Sequence, residues 1–260
     1  MIKRTKGRVA VGFLIFIAIV SYLAVFLVKA PGIHAIGEDT ILGAHRGNSI
    51  EYPENSLEAI KDAATNPRYE FIEFDLQYTK DNKIILFHDY SINRMAGKFG
   101  KISDLTYDEI NELSDFHVPQ YYEVMEIVGD KKLSIEIKPI FDTEKDRALV
   151  DFIIEDCKQR GILDKVLLSS ISTELVKYIS DTYPSIKTGM IYWVHPVTYI
   201  HSDEQVENFY NKMDEIGADY IMLHGVNLKN SKLIEKKPKS MILSYWYFTD
   251  EMYIVDDELW

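Results

Sequence analysis

From Ile41 onward, short apolar runs of β type alternate with stretches of helical period, and this alternation limits the body of the chain to an α/β fold with a mostly parallel sheet. The β-type runs are Ile41–Ala44, Phe71–Leu76, Ile84–Phe87, Leu133–Ile137, Val166–Leu168, Thr188–Trp193, Tyr220–Leu223 and Met241–Trp246. Helices are expected over Ser56–Ala64, Glu144–Arg160, Glu174–Thr182 and Asp203–Ile216, the second and fourth closing on Gly161 and Gly217. One connection is too short for a helix. Between Leu76 and Ile84 the segment Thr79-Lys80-Asp81-Asn82-Lys83 reads as a hairpin turn, so Ile84–His88 should run antiparallel to the strand before it. Asp75 and His88 lie symmetrically about Asp81-Asn82, which makes them expected cross-strand neighbours.

Ahead of that body, Val9–Val28 is a run of 20 residues without a charge. At 1.5 Å per residue it would reach ~30 Å, the hydrocarbon thickness of a bilayer. It exceeds the ~7–15 apolar residues of a cleaved signal peptide, so an uncleaved transmembrane helix is expected. Lys3, Arg4, Lys6 and Arg8 precede the run and Lys29 follows it. That imbalance predicts a cytoplasmic N-terminus and a body outside the cell membrane. The expected plan is a basic cytoplasmic tail (1–8), a membrane helix (9–28), a linker (29–41) and one α/β domain (42–260). With those five cations set aside, the rest of the chain carries 24 cations against 41 anions. So acidic a body is a poor nucleic-acid partner, because neutralising phosphates needs a basic face. Cys157 is the only cysteine; this excludes an intramolecular disulfide and a cysteine-based zinc site.

Chemistry-bearing residues gather at expected strand ends. Glu73 and Asp75 share one face of their strand, with no cation between them, and an oxygen-liganded Ca²⁺ or Mg²⁺ is the natural way to relieve their repulsion. Glu136 interrupts an otherwise apolar strand and has Lys138 two residues on; an ionised carboxylate there is costly without a partner. The first strand ends in His45-Arg46. Taken singly, each pair could be a solvated edge or a structural ion pair. The strand ends of a parallel α/β fold meet on one side, however. Two histidines, three carboxylates, an arginine and a lysine on one rim suit cleavage of a phosphodiester.

His45-Arg46-Gly47, Pro53-Glu54-Asn55-Ser56, Ile72-Glu73-Phe74-Asp75, Thr79-Lys80-Asp81, His88-Asp89 and Ile135-Glu136-Ile137-Lys138 follow one another in the order of the motifs of the glycerophosphodiester phosphodiesterase family, which this chain resembles from about Leu42 to Ser170. The resemblance implies a TIM-type (β/α) barrel, a divalent cation (Ca²⁺ or Mg²⁺), and hydrolysis of a glycerophosphodiester or related lipid head group to glycerol phosphate and an alcohol. Position by position it implies His45 and His88 as the acid/base pair, Glu73, Asp75 and Glu136 as metal ligands, and Arg46 and Lys138 as substrate contacts. There are departures. Ser56 and Asn82 replace the family's Thr and Gly, and Met95-Ala96 replace a Thr-Thr pair. Only 14 residues follow Trp246, with none of the family's closing motif. The expectation is therefore an incomplete barrel of seven strands plus an accessory hairpin strand, with a gap beside the first strand through which a second copy could pair. The missing wall leaves open the alternative of a truncated, inactive or ligand-binding relative.

Overall fold

A computed structural model describes residues 40–193, 202–247, 251–254 and 259–260. In chain order these form β1 (Ile41–Ala44), α1 (Leu57–Thr65), β2 (Phe71–Tyr78), β3 (Ile84–Leu86), α2 (Asn93–Ala96), α3 (Tyr107–Leu113), α4 (Tyr121–Met125), β4 (Lys132–Ile137), α5 (Thr143–Gln159), β5 (Val166–Ser170), α6 (Thr173–Thr182), β6 (Lys187–Tyr192), α7 (Asp203–Glu215), β7 (Tyr220–His224), α8 (Ser231–Glu235), β8 (Ile242–Trp246) and β9 (Glu251–Ile254). The local chemistry explains the main helices. Ser56, Asp142, Ser172 and Ser202 cap α1, α5, α6 and α7 by accepting a backbone N–H of the first turn. On α5, Leu149, Val150, Ile153, Ile154 and Cys157 recur at helical spacing and are buried.

Strands β1, β2, β4, β5, β6, β7 and β8 are parallel neighbours in that order. The wall then closes in a way the sequence reading missed. After β8 the chain reverses, and β9 runs antiparallel between β8 and β1, pairing Ser244 with Ile254 on one side and Ile41 with Ile254 on the other. The barrel therefore has eight strands and is closed. The expected gap beside the first strand does not exist, because the acidic, tyrosine-bearing tail supplies the missing wall. With β1 paired on both flanks, the open edge through which a second copy was expected to pair is gone as well. Arg68 forms an ion pair with Glu251, and the Tyr253 hydroxyl donates to the Glu251 carboxylate, so the short strand is held by side chains as well as by its ladders.

Strand β3 is the accessory hairpin strand. It lies against β2 on the flank that β1 occupies lower down, since Gly43 and Ala44 pair with Phe71 and Ile72, and Leu86 pairs with Leu76. The register is one residue from the expected one. Thr79 N–H donates to Lys83 O at 2.9 Å and Asn82 takes a φ of 57°, so the turn is centred on Asp81. Phe87 N–H then reaches Asp75 O at 3.2 Å. His88 lies just past β3, where the chain turns back onto the rim.

Two apolar layers result. Alternate strand residues face outward into the helices, as Ile72, Phe74, Ile135 and Leu168 do against α1 and α5. Inside the barrel, Phe71, Leu167, Tyr220, Met222, Met252 and Ile254 fill the lower lumen, and the Trp260 ring lies edge-on to Phe71 and Tyr220 at 5.2 and 5.7 Å. This packing confines open space to the upper rim, where parallel strands end.

One expectation is corrected outright. Among the described residues no helix is long and apolar enough to cross a membrane; the longest, α5, has 17 residues and carries charges throughout. The single-pass cell-membrane placement, with a cytoplasmic N-terminus and an external domain, does not stand. The Val9–Val28 run on which it rested lies outside the described residues.

Candidate active site

The site begins where β1 ends. His45 follows Ala44, and the backbone then turns left-handed at Arg46 (φ 58°) and Gly47 (φ 73°). A Cβ on Gly47 would come within 2.7 Å of the Ala59 backbone in α1, so both conformation and closeness require glycine there. The turn is locked to β2: Arg46 N–H donates to Glu73 Oε2 at 2.8 Å and Gly47 N–H to Glu73 O at 3.0 Å. Asn55, also at positive φ, donates its N–H to Arg46 O. Its side chain clamps Asp75, donating to Oδ2 at 2.8 Å and accepting the Asp75 N–H at 3.2 Å.

Asp75 pairs with Glu136 across β2 and β4, and Glu73 stands two residues earlier on the same face. All three are buried, and each offers a carboxylate oxygen within 4.8 Å of the others. Their expected convergence is met. Such a cluster is unfavourable unless countered. Burial first, and then the neighbouring Asp75 and Glu136 charges, push Glu73 well above the ordinary carboxylate range. Glu136 is raised, again chiefly by burial. For Asp75 burial works the same way but is outweighed by Lys138, His88 and Arg46, which hold it well below that range. Lys138 Nζ lies 3.0 Å from Asp75 Oδ1 and 2.7 Å from Glu136 Oε1. Arg46 Nε lies 3.7 Å from Asp75. Three buried carboxylates thus face two buried cations. Beyond Lys138 Nζ, Asp75 Oδ1 and Glu136 Oε1 have no hydrogen-bond donor. An all-oxygen set with spare acceptor capacity fits a hard divalent cation such as Ca²⁺ or Mg²⁺.

The two histidines differ. His45 is buried, its Nε2 3.8 Å from Glu73 Oε2; burial above all, then the Arg46 charge, hold it well below the ordinary histidine value, as a neutral imidazole. His88 is partly exposed and its Nδ1 lies 2.6 Å from Asp89 Oδ1. A carboxylate can only accept, so Nδ1 carries the proton and Nε2 is left for other chemistry. Although burial opposes it, hydrogen bonds from His88 and Arg94 keep Asp89 ionised far into acid. Arg94 binds Asp89 at 2.7 Å and Glu54 at 2.6 Å, and Glu54 in turn meets Arg46 at 3.0 Å. The chain of contacts His88–Asp89–Arg94–Glu54–Arg46 ties the hairpin side of the rim to the β1 side. Glu54, Asn55 and Asp89 stand inside the motifs read from the sequence, which assigns them no role, and Arg94 stands outside those motifs.

His45, Arg46, Glu73, His88, Glu136 and Lys138 line one cleft of about 830 Å³, so six of the seven expected residues share a surface. Asp75 lies beneath it, fully buried. Opposite them stand residues the sequence reading did not place in the site: Ser169, Met190, Met222, Trp246 and Met252. The Trp193, Trp246 and His224 rings pack together there, with centroids 5.0 to 5.6 Å apart. No single residue announces such a wall, because it is assembled from five strands.

Fold and site together define a hydrolase of phosphoric diesters built on an eight-stranded barrel. The sequence profile of the glycerophosphoryl diester phosphodiesterase family matches residues 45–247. A glycerophosphodiester phosphodiesterase of Caldanaerobacter subterraneus is 28% identical over 163 residues, 59% of this chain and 67% of that protein. The crystal structure of a glycerophosphodiester phosphodiesterase from Thermotoga maritima is 25% identical with a TM-score of 0.57, covering 79% of this chain and 85% of that one. An Oleispira antarctica phosphodiesterase, solved in complex with the product sn-glycerol-3-phosphate, shares the fold with a TM-score of 0.64 at 19% identity, over 78% of this chain and 83% of that one. This chain belongs to the glycerophosphoryl diester phosphodiesterase family.

Proposed function

We propose that this chain hydrolyses glycerophosphodiesters to glycerol phosphate and an alcohol, with Glu73, Asp75 and Glu136 holding a divalent cation, Ca²⁺ or Mg²⁺. The observation that carries the reading is the convergence of those carboxylates with His45 and His88 on one cleft. The glycerol phosphate bound to the Oleispira antarctica protein supports a small glycerophosphoryl substrate here as well. When bound, the cation would polarise a phosphoryl oxygen and offset negative charge developing on it. The chain's own residues do the rest. Arg46 and Lys138 bring fixed positive charge to the phosphate side of the cleft. His45, held neutral, accepts a proton from the attacking water, whose oxygen ends on the glycerol phosphate. His88, oriented through Nδ1 by Asp89, delivers a proton from Nε2 to the leaving alcohol. The closed barrel supports activity over the inactive-relative alternative, since β1, which carries His45 and Arg46, is paired on both sides.

The test is turnover of sn-glycero-3-phosphocholine by the full chain with Ca²⁺ or Mg²⁺ added, then with a chelator. Release of glycerol phosphate that the chelator abolishes is the expected result. Failure with either cation would overturn the reading, and turnover indifferent to the chelator would remove the cation from it.

A further inference from the structure

The lumen of a barrel of this type is ordinarily filled by bulky branched side chains. Two positions beside the carboxylates break that pattern. On β4, Leu133, Ile135 and Ile137 face outward into the helices, so Ser134 and Glu136 face the lumen. Ser134 is in register with Glu73 on one side and with Leu167, part of the lower fill, on the other. Ser169 on β5 is in register with Glu136 and with Gly189, and it borders the cleft. A Cβ on Gly189 would lie 2.9 Å from the Ser169 Cβ and 2.7 Å from Met222 Cε, so Ser169 is packed closely from the β6 side. Both serines are buried, and neither hydroxyl has a hydrogen-bond partner among the described residues. Glu136 Oε1 beside them meets only Lys138 Nζ. A buried hydroxyl without a partner is costly. Two of them next to a carboxylate oxygen with spare capacity point to something polar lying between. A bound water, which needs roughly two to four polar partners, finds them there.

We propose that Ser134 and Ser169 form a polar floor that holds, from the lumen side, a water molecule bound to the cation of the site. This rests on the cation assigned above to Glu73, Asp75 and Glu136, and it adds two positioning residues that reach the cation only through water. Mg²⁺ takes about six oxygen ligands and Ca²⁺ roughly six to eight. Three carboxylates therefore leave places for substrate and for water. Substrate enters from the rim, so a water on the lumen side has the serines as neighbours and stays in place through turnover. A cation-bound water has only its protons to offer. Serine oxygens can accept them, and each serine proton is then free for a carboxylate oxygen such as Glu136 Oε1. The floor distinguishes the two cations. Mg²⁺ parts with water reluctantly and keeps several waters, whereas Ca²⁺ accepts a second oxygen from the same carboxylate. Loss of the floor bears harder on Mg²⁺.

The test is calorimetric titration of the metal-free full chain with Mg²⁺ and, separately, with Ca²⁺, in the absence of substrate. Ser134→Ala and Ser169→Ala should each weaken Mg²⁺ binding at least about tenfold, the usual loss when an outer partner of a metal site is removed. Ca²⁺ binding should weaken less. Neither change should lower the Tm of the metal-free protein, because each deletes a hydroxyl that has no partner there. Ser244→Ala is the control. Its hydroxyl is also buried without a partner, but its register neighbours, Met222 and Ile254, are apolar. Its Mg²⁺ affinity should equal the parent's. Parent-like Mg²⁺ binding in either Ser134→Ala or Ser169→Ala overturns the inference while the cation reading stands. Equal losses for the two cations, an equal loss in the control, or a lower Tm of either metal-free variant overturns it too, and leaves the serines as packing residues. A parent that binds Ca²⁺ and not Mg²⁺ rules out the floor. A parent that binds neither removes the cation from the functional reading, and the floor with it.

Discussion

His45 and His88 stand about the same cleft with opposite surroundings, one a buried neutral imidazole and the other held by a carboxylate. His45→Ala and His88→Ala should each lower kcat by roughly 10²–10⁴, the usual loss of a general acid or base. Their combined effect should be less than additive, because paired groups act as a unit. Single-turnover kinetics of the three variants check this, and near-normal activity of either single variant removes its assignment. Asp89→Asn keeps the shape but removes the carboxylate that orients His88; a loss of up to ~10² in kcat, with KM little changed, is expected. These residues were legible because each breaks a local rule. Glu73 and Asp75 put like charges on one face, and Glu136 sits among isoleucines. Arg94 breaks no such rule. Its contacts to Asp89 and Glu54 span 5 and 40 residues, and only the folded chain shows that one guanidinium bridges both sides of the rim.

At the scale of elements, seven of the eight barrel strands were legible because each is an apolar run followed by a helix or a turn signal. The eighth was not. Strand β9 is four residues long, contains a glutamate, and begins only five residues after Trp246 ends β8, so neither periodicity nor alternation marks it. It is also antiparallel, which lets a short reversal do what the expected helix and parallel strand would have done. The hairpin register slipped for a related reason: turn length sets register, and a centre on Asp81 rather than between Asp81 and Asn82 shifts every partner by one. Because β9 pairs on both sides, proline within it removes ladder hydrogen bonds from a closed wall. Met252→Pro, which removes a ladder donor and leaves a buried acceptor unmet, should cost about 1–3 kcal/mol, lower Tm, and reduce turnover by loosening the strand that bears His45 and Arg46. Tyr253→Phe, which loses only the bond to Glu251, should fold and stay active. Thermal melts and turnover of both variants check the claim; a Met252→Pro protein with parent-like Tm would mean that β9 adds little to closure.

For the molecule as a whole, the acidic composition argues against a nucleic-acid partner but says nothing about where stability resides, and buried imidazoles supply one answer. His224, at the end of β7, is buried; its Nδ1 accepts the Val226 N–H at 3.4 Å, and its ring packs against Trp193, Trp246 and Tyr247. Burial pushes its pKa down to about 4. In the unfolded chain the value returns to about 6.5, so between those limits the unfolded state binds more protons than the folded one. The contribution of His224 is therefore complete above about pH 6.5 and is lost as pH falls toward 4. His45, also lowered, acts in the same sense. Glu73 and Glu136, whose values are raised, act in the opposite sense, because folding gains from their protonation as pH falls. The net slope mixes these groups, and a difference between proteins isolates one of them. Comparing parent with His224→Gln, the fall in Tm from pH 7 to pH 4.5 should shrink by on the order of 5 °C, corresponding to about 2 kcal/mol after allowance for partial solvent screening. Equal slopes in the two proteins would mean that the His224 ring takes up its proton in the folded barrel as readily as in the open chain, and that the aromatic wall beside it is wetter than its packing implies.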